Sequence, residues 1–267
     1  MRGLRPFLLG LCILLLAGCA RAQAPAAEEV QLGAAGDGAT PAPTPPPKRA
    51  PADAAKLLAS GEREFRNAAN GNYEPAVRLL GEALAAAPAP PLRAKVLYAR
   101  HKAFMAQQKL PQAIADLTAV IEIDGGHVLA YLQRAKLALK TGRCADAAAD
   151  FGRVLALDAG KRDAHAGLPQ ASECAAALDR AVHARAAGRF DMVTSALSEA
   201  MADGRATAAP ALLLERAQAF LQLPGEDNIN SALADLARVL KQEPNNVNAW
   251  ALRGRSLLMV VDFATGA

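Results

Sequence analysis

From about residue 53 onward, apolar residues recur at i, i+3, i+4 and i+7, and no stretch sustains an alternation of period two. That spacing predicts amphipathic helices and no sheet. One pattern is written three times on this background. Ala113-x-x-Asp116-Leu117-x-x-Val120-Ile121 returns as Ala147-x-x-Asp150-Phe151-x-x-Val154-Leu155 and again as Ala232-x-x-Asp235-Leu236-x-x-Val239-Leu240. The first two copies lie 34 residues apart. In each, a small residue precedes an acid by three positions and a large apolar residue follows the acid directly.

Turn residues set the frame. Gly71-Asn72-Tyr73, Lys109-Leu110-Pro111, Gly142-Arg143-Cys144 and Gly188-Arg189-Phe190 each separate a first (A) helix from a second (B) helix. Glycine supplies the left-handed residue that closes a helix, and Lys109 is read as its replacement in the second unit. Five positions after the glycine comes a small residue, Ala76 or Ala147, with Val193 the exception, and Ala113 fills the slot in the second unit. A small side chain there lets helices A and B cross closely. Pro88 and Pro244 end B helices, since proline cannot continue one. The A helices carry their own signature: Tyr131…Arg134-Ala135, Leu213…Arg216-Ala217, Trp250…Arg253-Gly254 and, less closely, Leu97…Arg100-His101. The arginine is expected to pair with a neighbouring acid such as Asp116 or Asp150.

Five helix pairs follow, at about 53–88, 90–124, 126–160, 171–204 and 207–244, with a sixth A helix from near Asn246. About 12 extra residues separate the third unit from the fourth, and residues 161–174 are expected to extend the next A helix backwards as a joint. The turn of the fifth unit, Leu223 to Asn228, is about three residues longer than the others. No B helix follows the sixth A helix, so Leu257, Leu258, Val260 and Val261 are left without a cover; the expectation is a truncated array.

A helix–turn–helix unit of 34 residues is the period of the tetratricopeptide repeat (TPR). Ala113, Ala147, Ala232, Leu117, Phe151 and Leu236 are its repeat-structural positions. The resemblance implies an all-α TPR α-solenoid, a right-handed superhelix over residues 53–267 whose concave wall binds other polypeptides. Asp116-Leu-Thr-Ala-Val-Ile121, Leu132-Gln-Arg-Ala135, Leu139-Lys-Thr-Gly142 and Asp150-Phe-Gly-Arg-Val-Leu155 further resemble the second and third repeats of the endoplasmic-reticulum TPR co-chaperones that end in a J domain (DnaJ subfamily C, protein-kinase-inhibitor type). Gln170 to Phe190 looks like that family's linker between subdomains, and Asn245 to Ala249 with Leu252 to Arg255 like its following repeats. The resemblance implies a protein of the ER lumen that holds unfolded polypeptides and works with the chaperone BiP in the unfolded-protein response. The sequence contains no His-Pro-Asp: His101, His127, His165 and His183 are followed by Lys, Val, Ala and Ala. The J-domain mechanism therefore has no residues here, and the expectation is a TPR-only fragment.

What precedes the repeats is read as targeting. Arg2 and Arg5 lead into an apolar run, Pro6 to Ala17, too short for a mature membrane span and suited to a signal peptide over residues 1–22. Ala20-Arg21-Ala22 would free Gln23. Leu16-Ala17-Gly18-Cys19 resembles a bacterial lipobox, which would lipidate Cys19 and make the chain an outer-membrane lipoprotein acting as an envelope-assembly scaffold. Both readings stand at this point. Residues 23–52, rich in Pro and Ala, form a disordered tether. Loss of Arg2, Arg5 and Arg21 with the signal lowers the net charge from +4 to +1, so the basic balance makes no case for nucleic acid.

Candidate chemistry is sparse. There is no glycine-rich phosphate loop, G-x-S-x-G or His-Glu-x-x-His, and no catalytic residue, cofactor or metal is expected. Cys144 and Cys174 lie outside the signal and have no ligand spacing. An antiparallel reversal near Gly160 would bring them within disulfide reach; two buried thiols remain the competing reading. Counted from the Ala113-type slots, the A-helix wall carries Tyr98/Lys102, Leu132/Lys136, Leu214/Gln218 and Ala251/Arg255. A carboxylate clamp of Lys and Asn is not matched. The apolar and basic mix suits client segments that are hydrophobic with acidic flanks, and Tyr98, Lys102, Leu132, Lys136, Leu214 and Gln218 are the candidate client-binding residues.

Overall fold

A computed structural model describes residues 51–68 and 71–265, with side chains for 53–68 and 71–260. The signal segment, the tether, Cys19 and Val261's side chain lie outside that set. Eleven α-helices run through the described residues: α1 (Pro51–Arg66), α2 (Glu74–Ala85), α3 (Pro90–Ala106), α4 (Leu110–Ile123), α5 (Val128–Lys140), α6 (Cys144–Leu157), α7 (Arg162–Ala186), α8 (Phe190–Ala200), α9 (Pro210–Phe220), α10 (Glu226–Gln242) and α11 (Val247–Thr265). Odd-numbered helices are A helices and even-numbered ones are B helices. No strand occurs among the described residues.

The local causes are visible. Proline stands in the first turn of α2, α3, α4 and α9, where its missing N–H costs nothing. The A–B turns share one hydrogen-bond pattern. Arg143 N–H donates to Ala138 O at 2.8 Å, and Arg189 N–H to Ala184 O at 2.9 Å, the long bond of a Schellman motif. Gly142 (φ +78°) and Gly188 (φ +69°) hold the left-handed position. In the second unit that position belongs to Gln108 (φ +59°), not to Lys109, whose N–H makes the matching 2.9 Å bond to Phe104 O.

Each B helix turns its small-then-large pattern inward. Ala113, Ala147 and Ala232 are fully buried, as are Leu117 and Leu236, with Phe151 nearly so. Phe151 also closes against the next repeat. A Cβ on Gly167 of α7 would fall 2.4 Å from the Phe151 ring, so glycine is what lets α7 pack there.

The irregular part lies between the third and fourth units. The inserted residues extend α7 to 25 residues, with Pro169 inside it. Cys144, at the start of α6, and Cys174, midway along α7, form a disulfide with Cα atoms 5.7 Å apart. The α8–α9 connection then reaches back across the array. Ala206 N–H donates to Leu139 O at 3.1 Å and Ala208 N–H to Lys140 O at 2.9 Å. They satisfy carbonyls left open at the end of α5. Buried Arg205 anchors this loop, donating to Glu199 O (3.1 Å), Ala202 O (3.1 Å), Gln170 O (3.4 Å) and Glu173 Oε2 (2.9 Å).

Candidate polypeptide-binding wall

The A helices contact one another directly, α1 with α3 and α5 with α7, so they line the inner wall. Their orientation is fixed by one recurrent ion pair. Arg100 Nε and Nη2 donate to Asp116 at 2.9 and 2.6 Å. Arg134 meets Asp150 at 2.8 Å through both nitrogens. Arg216 meets Asp235 at 2.7 Å through both. Each arginine stands on an A helix and each acid, buried, on the B helix that follows. Arg134 also reaches back to Thr118 Oγ1 (3.2 Å), and Arg216 to Ser198 Oγ (2.9 Å). In both cases three consecutive helices share one guanidinium.

With the helices so held, the wall positions fall into two depressions. The first has a volume of about 240 Å³ and is bordered by Glu62, Phe65 and Arg66 of α1 with Lys102 of α3. The Lys102 ammonium lies 5.0 Å from the Tyr98 ring, a cation–π contact. Tyr98 is half-buried and its phenol is raised by that burial. Its ring also lies 4.5 Å from His101 and 5.0 Å from His127. The second depression, about 340 Å³, has Phe190, Leu221 and Leu252 on its apolar side and Gln218, Gln222 and Arg255 on its polar side. Arg185 and Glu215 form an ion pair at its edge.

Leu132 and Lys136 depart from expectation. Leu132 is 3% exposed and belongs to the core that contains Ala164 and Ala171 of α7. Lys136 is exposed, but Asp163 in the first turn of α7 takes its ammonium at 2.6 Å, which holds the Asp163 carboxyl below its usual value. Both results have one cause. The backward extension of α7 lies beside α5, so the third unit presents a core leucine and a neutralised lysine. Leu214 is half-buried against the core of the fifth unit. Sequence reading passed over Phe65, Arg66, Arg185 and Phe190. Phe65 and Arg66 lie one helical turn beyond Glu62, the first-unit counterpart of Lys102, and that spacing was the available signal.

No protein-family model matches the chain. Its repeat architecture is shared with the crystal structure of the P58(IPK) TPR domain, at a TM-score of 0.63 and 24% identity over 79% of this chain and 56% of that one. The chain is a TPR α-solenoid. In sequence the TPR chain is 27% identical over 166 residues to DnaJ protein P58IPK homolog B of Oryza sativa subsp. japonica, covering 62% of this chain and 34% of the relative. It is 31% identical over 157 residues to DnaJ homolog subfamily C member 3 of Rattus norvegicus, covering 57% and 30%. The resemblance read from the repeats is thus one to the P58IPK-type DnaJ proteins, and the matched stretch spans about a third of their length. Among the described residues no helix is long and apolar enough to cross a membrane, and no cluster of three metal-ligating side chains occurs.

Proposed function

We propose that this TPR array is a protein-binding scaffold of the co-chaperone type, which holds unfolded polypeptide segments on its inner wall. The observation that carries the reading is the depression bordered by Phe65, Arg66, Lys102 and Tyr98. Aromatic faces there take apolar side chains, and the adjacent cations favour acidic flanks. A regular TPR unit buries its polar pairs between helices, which leaves the wall's apolar and cationic groups for a ligand. Similarity to the P58IPK-type DnaJ proteins supports the same reading.

In this proposal the protein works in the ER lumen beside a BiP-type chaperone, passing on held segments without a catalytic step of its own. The apolar N-terminal run supports entry to the secretory route. The Cys144–Cys174 disulfide supports an oxidising compartment. The test is suppression of aggregation of a reduced, unfolded client by the mature chain without nucleotide. Protection at near-stoichiometric ratio is expected, and no protection at several-fold molar excess would refute it. Mass spectrometry of the mature N-terminus separates Gln23 from a lipidated Cys19.

A further inference from the structure

The last described A helix repeats the geometry of the earlier ones and leaves it unfinished. Arg253 occupies the position of Arg100, Arg134 and Arg216, and its guanidinium lies 5.6 Å from the Trp250 ring as theirs lie beside Phe104, Tyr131 and Phe220. Those three each close on an aspartate of the following B helix. Among the described residues no acid meets Arg253.

The apolar positions tell the same story. In α5 the B helix buries Ala135, Ala138 and Leu139; in α9 the counterparts Ala217 and Leu221 are buried and Phe220 packs on the same core. Their equivalents in α11 are Gly254, Leu257 and Leu258. Gly254 is exposed, Leu257 is 49% exposed and Leu258 68%, and Trp250 beside them is 53% exposed. The opposite side of α11 is normal, with Ala249 and Ser256 fully buried on the α10 side. Trp250 is fixed in place by its indole N–H, which donates to Pro244 O at 2.8 Å. The face is therefore an ordered half of a repeat.

We propose that this face binds an acidic amphipathic helix of a partner polypeptide, which completes the repeat in trans. The three internal precedents define its chemistry: a small residue, an acid three positions later, a large apolar residue directly after the acid, and Val or a similar residue three positions beyond that. The acid pairs with Arg253, the small residue allows close approach at Gly254, and the apolar pair covers Leu257 and Leu258. A second copy of the chain fits less well. In a two-fold antiparallel pairing of α11 with itself, the flank carrying Arg253 meets the same flank of the other copy. That flank offers Asn246, Ala249, Ser256 and Val260, and no carboxylate.

Trp250 is the chain's one tryptophan, so its emission reads this face alone. The probe is a synthetic peptide of residues 226–242, which carries the Ala232-x-x-Asp235-Leu236-x-x-Val239 pattern, titrated into the full chain. A blue shift of Trp250 and at least a two-fold fall in acrylamide quenching are expected. The effect should be lost with Asp235→Arg in the peptide, lost with Arg253→Glu in the chain, and regained when the two changes are combined. Three outcomes overturn the proposal: no spectral change up to millimolar peptide, a change indifferent to both charge reversals, or shielding of Trp250 that grows with chain concentration alone and marks a second copy as the occupant.

Discussion

Arg134 of α5 and Asp150 of α6 form a two-point ion pair, both contacts 2.8 Å, 16 residues apart in sequence. The carboxylate is buried and Thr118 of the preceding helix shares the guanidinium. Removing only one charge leaves the other without its partner in a water-poor site, which costs far more than a surface pair is worth. Arg134→Ala is expected to lower stability by about 3 kcal/mol. The double change Arg134→Leu with Asp150→Leu should cost clearly less than the sum of the single ones. Urea unfolding of the four proteins in that cycle measures both quantities.

Gln108 is a side chain in a position that elsewhere in the array is glycine. Its φ of +59° sets Cβ against the backbone, at a cost of about 1–2 kcal/mol for an L-residue. Gln108→Gly removes that cost and loosens the unfolded chain somewhat. A net gain of about 1 kcal/mol is expected, read as a higher melting temperature. A loss of stability would show that the Gln108 side chain contributes more than the turn costs.

His101 takes the slot that Ala135, Ala217 and Gly254 hold in other A helices. It is 3% exposed and its Nδ1 has no partner. Burial lowers its pKa from 6.5 to about 4; Lys102 and His127 add to the effect, and a hydrogen bond with the Tyr98 backbone opposes it. The unfolded chain therefore binds the proton first as pH falls. Stability due to neutral His101 is complete above about pH 6.5 and drains away towards pH 4, by about 3 kcal/mol in all. His101→Ala should flatten that part of the pH profile while leaving slopes from the carboxylates unchanged. Chemical denaturation between pH 4 and pH 7.5 is the measurement.

Much of the array is written in the sequence because its physics is local. The Ala-x-x-Asp-apolar pattern marks which face of each B helix is buried, and the arginine three residues after an apolar A-helix position finds its acid at every described repeat that has both. The turn at Gln108 was misplaced by one residue because a left-handed glutamine leaves no compositional trace. The wall positions Leu132 and Lys136 were misread for a longer-range reason. Their surroundings are set by how far α7 extends, which depends on packing across the inserted segment. Nor did any local signal announce that the α8–α9 loop would cap the end of α5, because its bonds from Ala206 and Ala208 span more than 60 residues of chain.

The central claim is that unfolded segments lie on the A-helix wall and not on the outer face. Photo-cross-linking tests it most directly. A p-benzoylphenylalanine replaces Lys102, beside the Tyr98 depression, or Arg153, exposed on B helix α6. Each full-length chain is irradiated with a reduced, unfolded client. Adducts from position 102 that are competed by unlabelled unfolded protein, with few or none from position 153, are the expected result. Equal yields from both positions, or adducts from 153 alone, would contradict the account.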